Sequence, residues 1–304
     1  MQIAEQLASE FGLRFDYSNN IINLIDEGCT IPFIARYRKE MHGTCDDQVL
    51  RNFADRLKYL RNLNAEKEKV QKTIEEQGKW TEELKKALEE ATTLTEVEDI
   101  YRPYKPKRKT RASVAIAKGL EGLADILQAQ SKAYVLQTEA QKYITEEVPT
   151  IEEAIDGAKD IVAERISDDA DLRKDLRELI QEKGKIVCEL LENENNLTYE
   201  TYAGFKQEIK TIPSHRVLAI NRGENEKCLK VNIVVDEEEA FKKIRKHFKK
   251  NNEDTDAVME EVIADSYERL LFPSLERECR TNLTDVANEG AIKMFEVNLK
   301  PLLM

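Results

Sequence analysis

Two cysteines and a histidine near the start of the chain have the chemistry of metal ligands. Thiolates and imidazoles bind zinc, and Cys29, His42 and Cys45 lie in one short segment. The sequence supplies no convincing fourth ligand at a suitable spacing. Small hydrophobic cysteines in a helical core account for the same residues more economically. We therefore expect no metal site here.

Paired carboxylates are the groups that a metal-dependent nuclease would use. Asp46/Asp47 and Asp168/Asp169 are such pairs, but each lies where a helix is expected to begin, so capping is the simpler role. The chain has three histidines and lacks H-E-x-x-H, G-x-S-x-G, Walker A and G-x-G-x-x-G patterns. The sequence predicts no catalytic residue and no bound cofactor, and thus a protein that is not an enzyme.

A basic segment, YRPYKPKRKTRA at residues 101–112, combines six cationic side chains with two tyrosines. Pro103 and Pro106 remove backbone donors and disfavour helix in the preceding residue, which predicts an extended, polyproline-like strap. Cations beside tyrosine rings can contact the phosphates and stack on the bases of single strands. The strap residues predicted to bind nucleic acid are Tyr101, Arg102, Tyr104, Lys105, Lys107, Arg108, Lys109 and Arg111.

The net charge supports a second interpretation of the strap. The whole chain carries −12, so removing the six positive charges of the strap leaves −18 on the remainder. A body that acidic attracts its own strap, and self-pairing competes with phosphate binding on equal terms. An overall acidic protein does not bind polyanions with its whole surface, so any nucleic-acid contact must be local.

A second basic segment is IARYRKE. Helical spacing is expected to place Phe33, Ile34 and Tyr37 on one apolar side, while Arg36, Arg38 and Lys39 occupy much of the remaining surface. Such a helix could contact phosphates. An ordinary solvated face paired with neighbouring acids explains the pattern equally well.

The composition favours helices in a reducing compartment. Charged residues make up 35% of the 304 residues, and 11 glycines and 7 prolines are few for a sheet-rich fold. Five scattered cysteines without a C-x-x-C pair indicate neither a disulfide framework nor a zinc finger. No leader sequence or membrane span is apparent, so we expect a soluble, cytoplasmic protein with no membrane partner.

The fold class expected is mainly α, with a multi-helical N-terminal bundle, a small mixed α/β subdomain and long C-terminal helices. Within the bundle, Ser18 is expected to cap a helix, and two short helices with a tight turn have helix-turn-helix-like spacing. Alternating residues in CLKVNIVV predict a strand. The predicted regions are 1–195, 196–251 and 252–304, and the apolar end KPLLM suggests that a longer natural protein continues.

Four long segments in order resemble the bacterial Tex family of transcription accessory proteins: IPFIARYRKEMHG, VEDIYRPYKPKRKTRASVAIAKGLEGLA, IPSHRVLAINRGENE and YERLLFPSLERECRTNL. The resemblance extends over essentially the whole chain. It implies an N-terminal helical region with helix-turn-helix character and a long central helix. In the family these precede a YqgF-type ribonuclease-H-like domain, helix-hairpin-helix elements and a C-terminal RNA-binding domain.

The resemblance implies a cytoplasmic, non-catalytic scaffold of a protein that binds RNA or DNA mainly through domains absent from this chain. Weak, sequence-independent contact through the strap and the IARYRKE helix is the expected contribution of this region. The alternative is a protein-interaction scaffold that docks other domains or the transcription machinery. Neither interpretation assigns an individual contact to any basic residue.

Overall fold

The computed structural model describes residues 2–43, 45–106, 109–192, 196–250 and 252–303. Most of this part of the chain is helical, and the prediction of a mainly α fold with a small mixed subdomain and long C-terminal helices is confirmed. The chain divides into two compact units, Met1–Tyr104 and Lys105–Met304. These units are defined by packing. The three regions expected from the sequence stay a prediction.

The first unit is a helical bundle built around one long helix. Its helices are α1 (Ile3–Phe11), α2 (Phe15–Asp26), α3 (Ile31–Tyr37), α4 (Lys39–His42), α5 (Asp47–Glu76), α6 (Glu82–Glu90) and α7 (Leu94–Tyr101). Asp46 caps α5 by accepting the Val49 N–H at 2.8 Å, as the capping interpretation of this acid pair expects. The buried residues of α5 recur at intervals of three, four or seven positions and so lie along one side of this helix, which is the spine of the bundle.

The start of α2 differs from the sequence expectation. Ser18 was expected to cap this helix, but α2 begins three residues earlier, at Phe15. The Ser18 side chain is fully buried and donates its hydroxyl to the Ala4 carbonyl at 2.8 Å. A hydroxyl that finds a buried acceptor on a neighbouring helix is better satisfied there than at a solvated helix end. Ser18 therefore ties α1 to α2.

The second unit begins with five helices: α8 (Arg111–Ala117), α9 (Glu121–Ala129), α10 (Leu136–Ala140), α11 (Ile151–Asp168) and α12 (Ala170–Lys183). Asp169 caps α12 by accepting the Leu172 N–H at 2.8 Å, so the second acid pair also marks a helix start. The core of the unit lies around α11, which buries Ala154, Ala158, Ile161, Val162, Ala163 and Ile166.

A three-stranded antiparallel sheet follows, in the order β2-β1-β3. Its strands are β1 (Lys185–Leu190), β2 (Lys206–Glu208) and β3 (Leu229–Val234), and α13 (Ser214–Asn225) precedes β3. The predicted strand in CLKVNIVV is confirmed as β3. The segment before β2 forms a 3-10 helix over Asn196–Tyr202.

The chain ends in α14 (Glu237–Phe248), α15 (Glu253–Asp265) and α16 (Phe272–Leu303), with a π-helical turn at Ser266–Leu271 joining the last two. Pro273 is the second residue after this turn. A proline cannot donate its backbone nitrogen to the preceding turn, and a widened turn accommodates the missing bond. Within the described residues, no helix is both long enough and apolar enough to cross a membrane.

Candidate nucleic-acid interface

The short helix α3 presents its aromatic side chains to solvent. Ile34 is fully buried in the first-unit core, while Phe33 is 38% and Tyr37 64% exposed. The expectation that these three residues share one apolar side of the helix is therefore wrong. Phe33 and Tyr37 are four positions apart and neighbours on the exposed surface, whereas Ile34 packs into the core. Their ring centroids lie 5.3 Å apart on the surface.

The cations of this segment surround the two exposed rings. Arg36, Arg38 and Lys39 are all exposed, and the Arg38 guanidinium lies over the Phe33 ring, 5.5 Å from its centroid. In the described parts of the chain, none of the three forms an ion pair with a carboxylate. We call Phe33, Arg36, Tyr37, Arg38 and Lys39 the basic-aromatic patch.

Several buried contacts fix the backbone under the patch. The His42 ring is fully buried, with Nε2 3.2 Å from the Ile34 carbonyl, which selects the tautomer that donates from Nε2. Asn20 on α2 donates to the Met41 carbonyl at 3.3 Å. Gly43 ends α4 with φ at +64°, and a Cβ there would lie 2.6 Å from the Tyr17 ring. The patch is thus held by α2 and by its own helix ends.

The first part of the strap, residues 101–104, is not extended, which corrects the expectation from its prolines for this part. Helix α7 runs to Tyr101 and continues as a 3-10 helix over Arg102–Tyr104, with Arg102 in a helical conformation before Pro103. Tyr101 and Tyr104 pack, partly buried, against the first-unit core. That packing outweighs the local preference of a residue before proline. The two rings are therefore less available for stacking than those of the patch.

The strap cations differ from one another in their surroundings. Arg102 in the first unit and Lys105 in the second both interact with other groups of the protein. Lys109 is exposed and has no ion pair within the described residues. Arg111 lies in the electrostatic field of Asp160 and Asp265. Lys107 and Arg108 lie outside the described residues, so the predicted binding role of the strap stays a prediction.

The carboxylates near Arg111 differ in their pKa. A hydrogen bond from Arg269 and the nearby cations hold the pKa of Asp265 below its usual range. Burial raises the pKa of Asp160, although Arg269 and Arg111 oppose this effect. At neutral pH the charged form of Asp265 attracts Arg111. This end of the strap therefore interacts with acids of its own unit, as the self-pairing interpretation expects.

The segment that contains Cys29, His42 and Cys45 packs against the first-unit core. The Cys45 thiol donates to the His42 carbonyl at 3.0 Å, and burial, with a smaller effect of Asp46, raises the pKa of Cys45. A raised pKa disfavours the thiolate that a metal requires. Across the described ranges, no three or more His, Cys, Asp or Glu side chains are arranged to hold a metal ion.

The fold defines a multi-helical protein with one small antiparallel sheet and a surface patch of paired aromatic rings and uncompensated cations. Residues 132–295 match the model of the Tex central region-like family, and residues 1–75 match that of the Tex-like protein N-terminal domain. The chain therefore belongs to the Tex family, and the resemblance noted in the sequence is confirmed.

Relatives of this chain include proteins of bacteria and of humans. It is 42% identical over 308 residues to the uncharacterized protein YdcI of Bacillus subtilis (strain 168), covering 99% of this chain and 43% of the relative. It is 36% identical over 314 residues to the transcriptional accessory protein Tex of Neisseria gonorrhoeae, covering 100% and 41%. Human S1 RNA-binding domain-containing protein 1 is 32% identical over 304 residues, covering 94% and 30%. The chain spans about two fifths of the length of these bacterial relatives.

Proposed function

We propose that this chain is a non-catalytic scaffold of a bacterial, cytoplasmic transcription accessory protein, and that it contacts nucleic acid weakly through the basic-aromatic patch. The observation that carries the proposal is the environment of Arg36, Arg38 and Lys39, which are exposed beside two exposed rings and lack ion-pair partners in the described chain. The names of two relatives, a transcriptional accessory protein and an S1 RNA-binding domain-containing protein, support the proposed class of partner.

The patch has the chemistry of single-strand contact. Exposed aromatic rings stack on unpaired bases of any sequence, and cations beside them neutralise phosphates. A duplex hides the faces of its bases, so the rings favour single strands of RNA or DNA. Because the chain as a whole carries −12, binding is local, weak and sensitive to salt. The helix-turn-helix interpretation of α2 to α5 would instead favour duplex DNA, and it stays a prediction.

The strap is the second surface in this proposal. Lys109 is available, whereas Arg111 lies near acids of its own unit and the two strap tyrosines are partly buried. We therefore expect the strap to add less affinity than the patch. The principal affinity of the longer protein comes, in this proposal, from regions that this chain does not contain.

Fluorescence anisotropy with labelled single-stranded RNA, single-stranded DNA and duplex DNA tests the proposal. At low salt we expect weak binding, strongest to single strands, that falls as salt rises. The variant carrying Phe33→Ala and Tyr37→Ala should lose the preference for single strands while keeping its fold, because both rings are exposed. An absence of binding to all three probes at low salt would exclude the patch as a contact surface.

A second candidate function is a protein-docking scaffold, and one observation favours it. From residue 286 onward, α16 carries apolar side chains that are each more than 60% exposed: Val286, Ile292, Met294, Phe295 and Val297. Exposed apolar surface of this extent is typical of interaction sites. Docking would be supported if this chain associates with another region of the longer protein and the association persists at high salt. The variant that carries both Ile292→Ser and Phe295→Ser should then lose the association. Association that salt abolishes would contradict it.

A further inference from the structure

A polar groove of about 650 Å³ lies between α13 and α16 in the second unit. The helices run antiparallel there, because Asn221 donates to the Thr284 hydroxyl at 2.9 Å while Arg280 pairs with Glu224, one turn along each helix in the opposite sense. The groove is lined by parts of two of the four segments that resemble the Tex family. These are the segments that contain RVLAINRGENE and LERECRTNL. The proposed nucleic-acid contact does not use either segment.

Part of the groove wall is occupied by structural contacts. Arg280 donates to the Asn221 side chain at 3.2 Å and to the Val231 carbonyl at 3.4 Å, in addition to its pair with Glu224. Gly223 permits α13 to lie close to β3, since a Cβ at this position would come within 2.6 Å of the Leu229 side chain. These residues hold α13, β3 and α16 together, and Arg222 pairs with Glu226 further along α13. Other lining residues take no part in such contacts.

The uncommitted lining contains one cation and one anion. Arg277 and Asp285 are both exposed on the groove side of α16, and neither takes part in an ion pair within the described chain. The amides of Asn225 and Asn288 also line the groove without a hydrogen bond to another described side chain or backbone group. Eight helical positions separate Arg277 from Asp285, a distance of about 12 Å along the axis.

The charges along the groove make a polyanion an unfavourable occupant. Arg222, Arg277 and Arg280 near one end exceed Glu224 and Glu226 by one positive charge, whereas Asp285 makes the other end negative. A phosphate backbone would meet three carboxylates as well as three arginines, so the groove offers it no net positive charge. A polypeptide, in contrast, can offer a carboxylate at one end and an amine or guanidinium at the other, while its backbone pairs with the free asparagine amides.

We propose that the α13–α16 groove binds an extended segment of a partner protein in which an acidic side chain lies beside Arg277 and a basic side chain beside Asp285. An extended chain advances about 3.3 Å per residue, so the two side chains are about four residues apart. This docking site goes beyond the proposed nucleic-acid contact and rests on different residues.

Selection of random linear peptides displayed on phage, with the 304-residue chain as the target, tests the proposal. We expect the selected peptides to share an acidic and a basic residue about four positions apart in a fixed order. The double variant Arg277→Asp with Asp285→Arg keeps the net charge and should select the same pair in the reverse order. Selection of no peptide, or of peptides without this pair, would overturn the proposal.

Single variants measure the contribution of each end. With a synthetic peptide of the selected sequence, Arg277→Glu and Asp285→Lys should each weaken binding about tenfold, as loss of a charge-assisted contact implies. Lys132→Glu is the matched control, since Lys132 is exposed and outside the groove lining, and it should leave the affinity unchanged. Circular dichroism should show an unchanged fold in all three. An equal loss in Lys132→Glu and Arg277→Glu, which change the net charge by the same amount, would mean that only net charge matters and would contradict the site.

Discussion

Glu276 on α16 accepts a hydrogen bond from the backbone N–H of Ile233 at 2.7 Å, on the outer edge of β3. Arg280, one turn further along α16, donates to the Val231 carbonyl on the same edge. The two side chains thus occupy backbone groups that an open sheet edge would offer to another chain. Helix α16 protects the sheet as well as packing against it.

The first prediction concerns this edge. Glu276→Ala leaves the Ile233 N–H without its partner, so we expect the free energy of unfolding to fall by about 1–3 kcal/mol. Chemical denaturation followed by circular dichroism measures the loss. Glu276→Gln keeps an acceptor oxygen and serves as the control. If Glu276→Ala were as stable as Glu276→Gln, the hydrogen bond would have no role in holding the edge.

The second prediction separates the backbone strain of a glycine from the crowding around it. Gly43 and Gly78 have nearly equal positive φ, +64° and +67°, but a Cβ would meet the Tyr17 ring only at Gly43. Gly78→Ala should cost about 1 kcal/mol of unfolding free energy from the left-handed backbone alone. Gly43→Ala should cost about 1–3 kcal/mol more because it overpacks the turn under the patch.

The fluorescence of Trp80 gives the measurement for this pair of variants. Trp80 is the single tryptophan and packs, partly buried, against the first-unit core, so its emission reports unfolding of that unit. Equal losses in the two alanine variants would show that the Tyr17 ring moves aside freely and that the turn does not fix the patch.

The third prediction concerns pH. Arg56 on α5 makes two hydrogen bonds to the Glu10 carboxylate on α1, at 2.7 and 2.8 Å, and holds the pKa of Glu10 below its ordinary value. A lowered folded-state pKa gives stability that is present above the unfolded pKa, about 4.3, and is lost as the pH falls through the folded value. Both side chains are about one third exposed, so the pair contributes at most about 1 kcal/mol.

Arg56→Ala should therefore lower the unfolding free energy at pH 7, and the difference from the parent chain should shrink as the pH falls below about 4. Denaturation at a series of pH values, followed by Trp80 fluorescence, gives this difference directly. Arg51→Ala, which removes an exposed pair with Asp47 inside α5, provides a comparison without a contact between helices. A difference for Arg56→Ala that stays constant down to pH 2 would show that packing, and not charge, carries the effect.

The sequence predicts those elements whose signals are local. Asp46 and Asp169 start their helices, and the alternation in β3 is visible in the printed residues. The strap is different because Tyr101 and Tyr104 pack, partly buried, against the core. The local conformational preferences of proline do not predict this packing. Likewise, the seven-residue helix α3 is apolar or aromatic at nearly every position, so its sequence does not indicate which side is buried.

The candidate sites, too, are predictable from the sequence only where their signals are local. Arg36, Arg38 and Lys39 are recognisable from sequence, but the exposure of Phe33 and Tyr37 depends on how α3 packs against α5. The aromatic pair at a spacing of four residues beside three cations was the available signal. The α13–α16 groove has no sequence signal of this kind, since it forms only when two distant helices meet.

The central claim, that the basic-aromatic patch contacts nucleic acid, is tested most directly by the salt dependence of binding in two variants of equal charge. One carries Arg36→Glu, Arg38→Glu and Lys39→Glu, and the other carries Lys107→Glu, Arg108→Glu and Lys109→Glu in the strap. Anisotropy with a labelled single-stranded RNA over a range of KCl concentrations gives the slope of log K against log salt. We predict that the patch variant loses most of the affinity and about 2 units of slope, as release of about three phosphate contacts implies. The strap variant should retain most of both. Loss of binding in the strap variant with an unchanged patch variant would contradict the account.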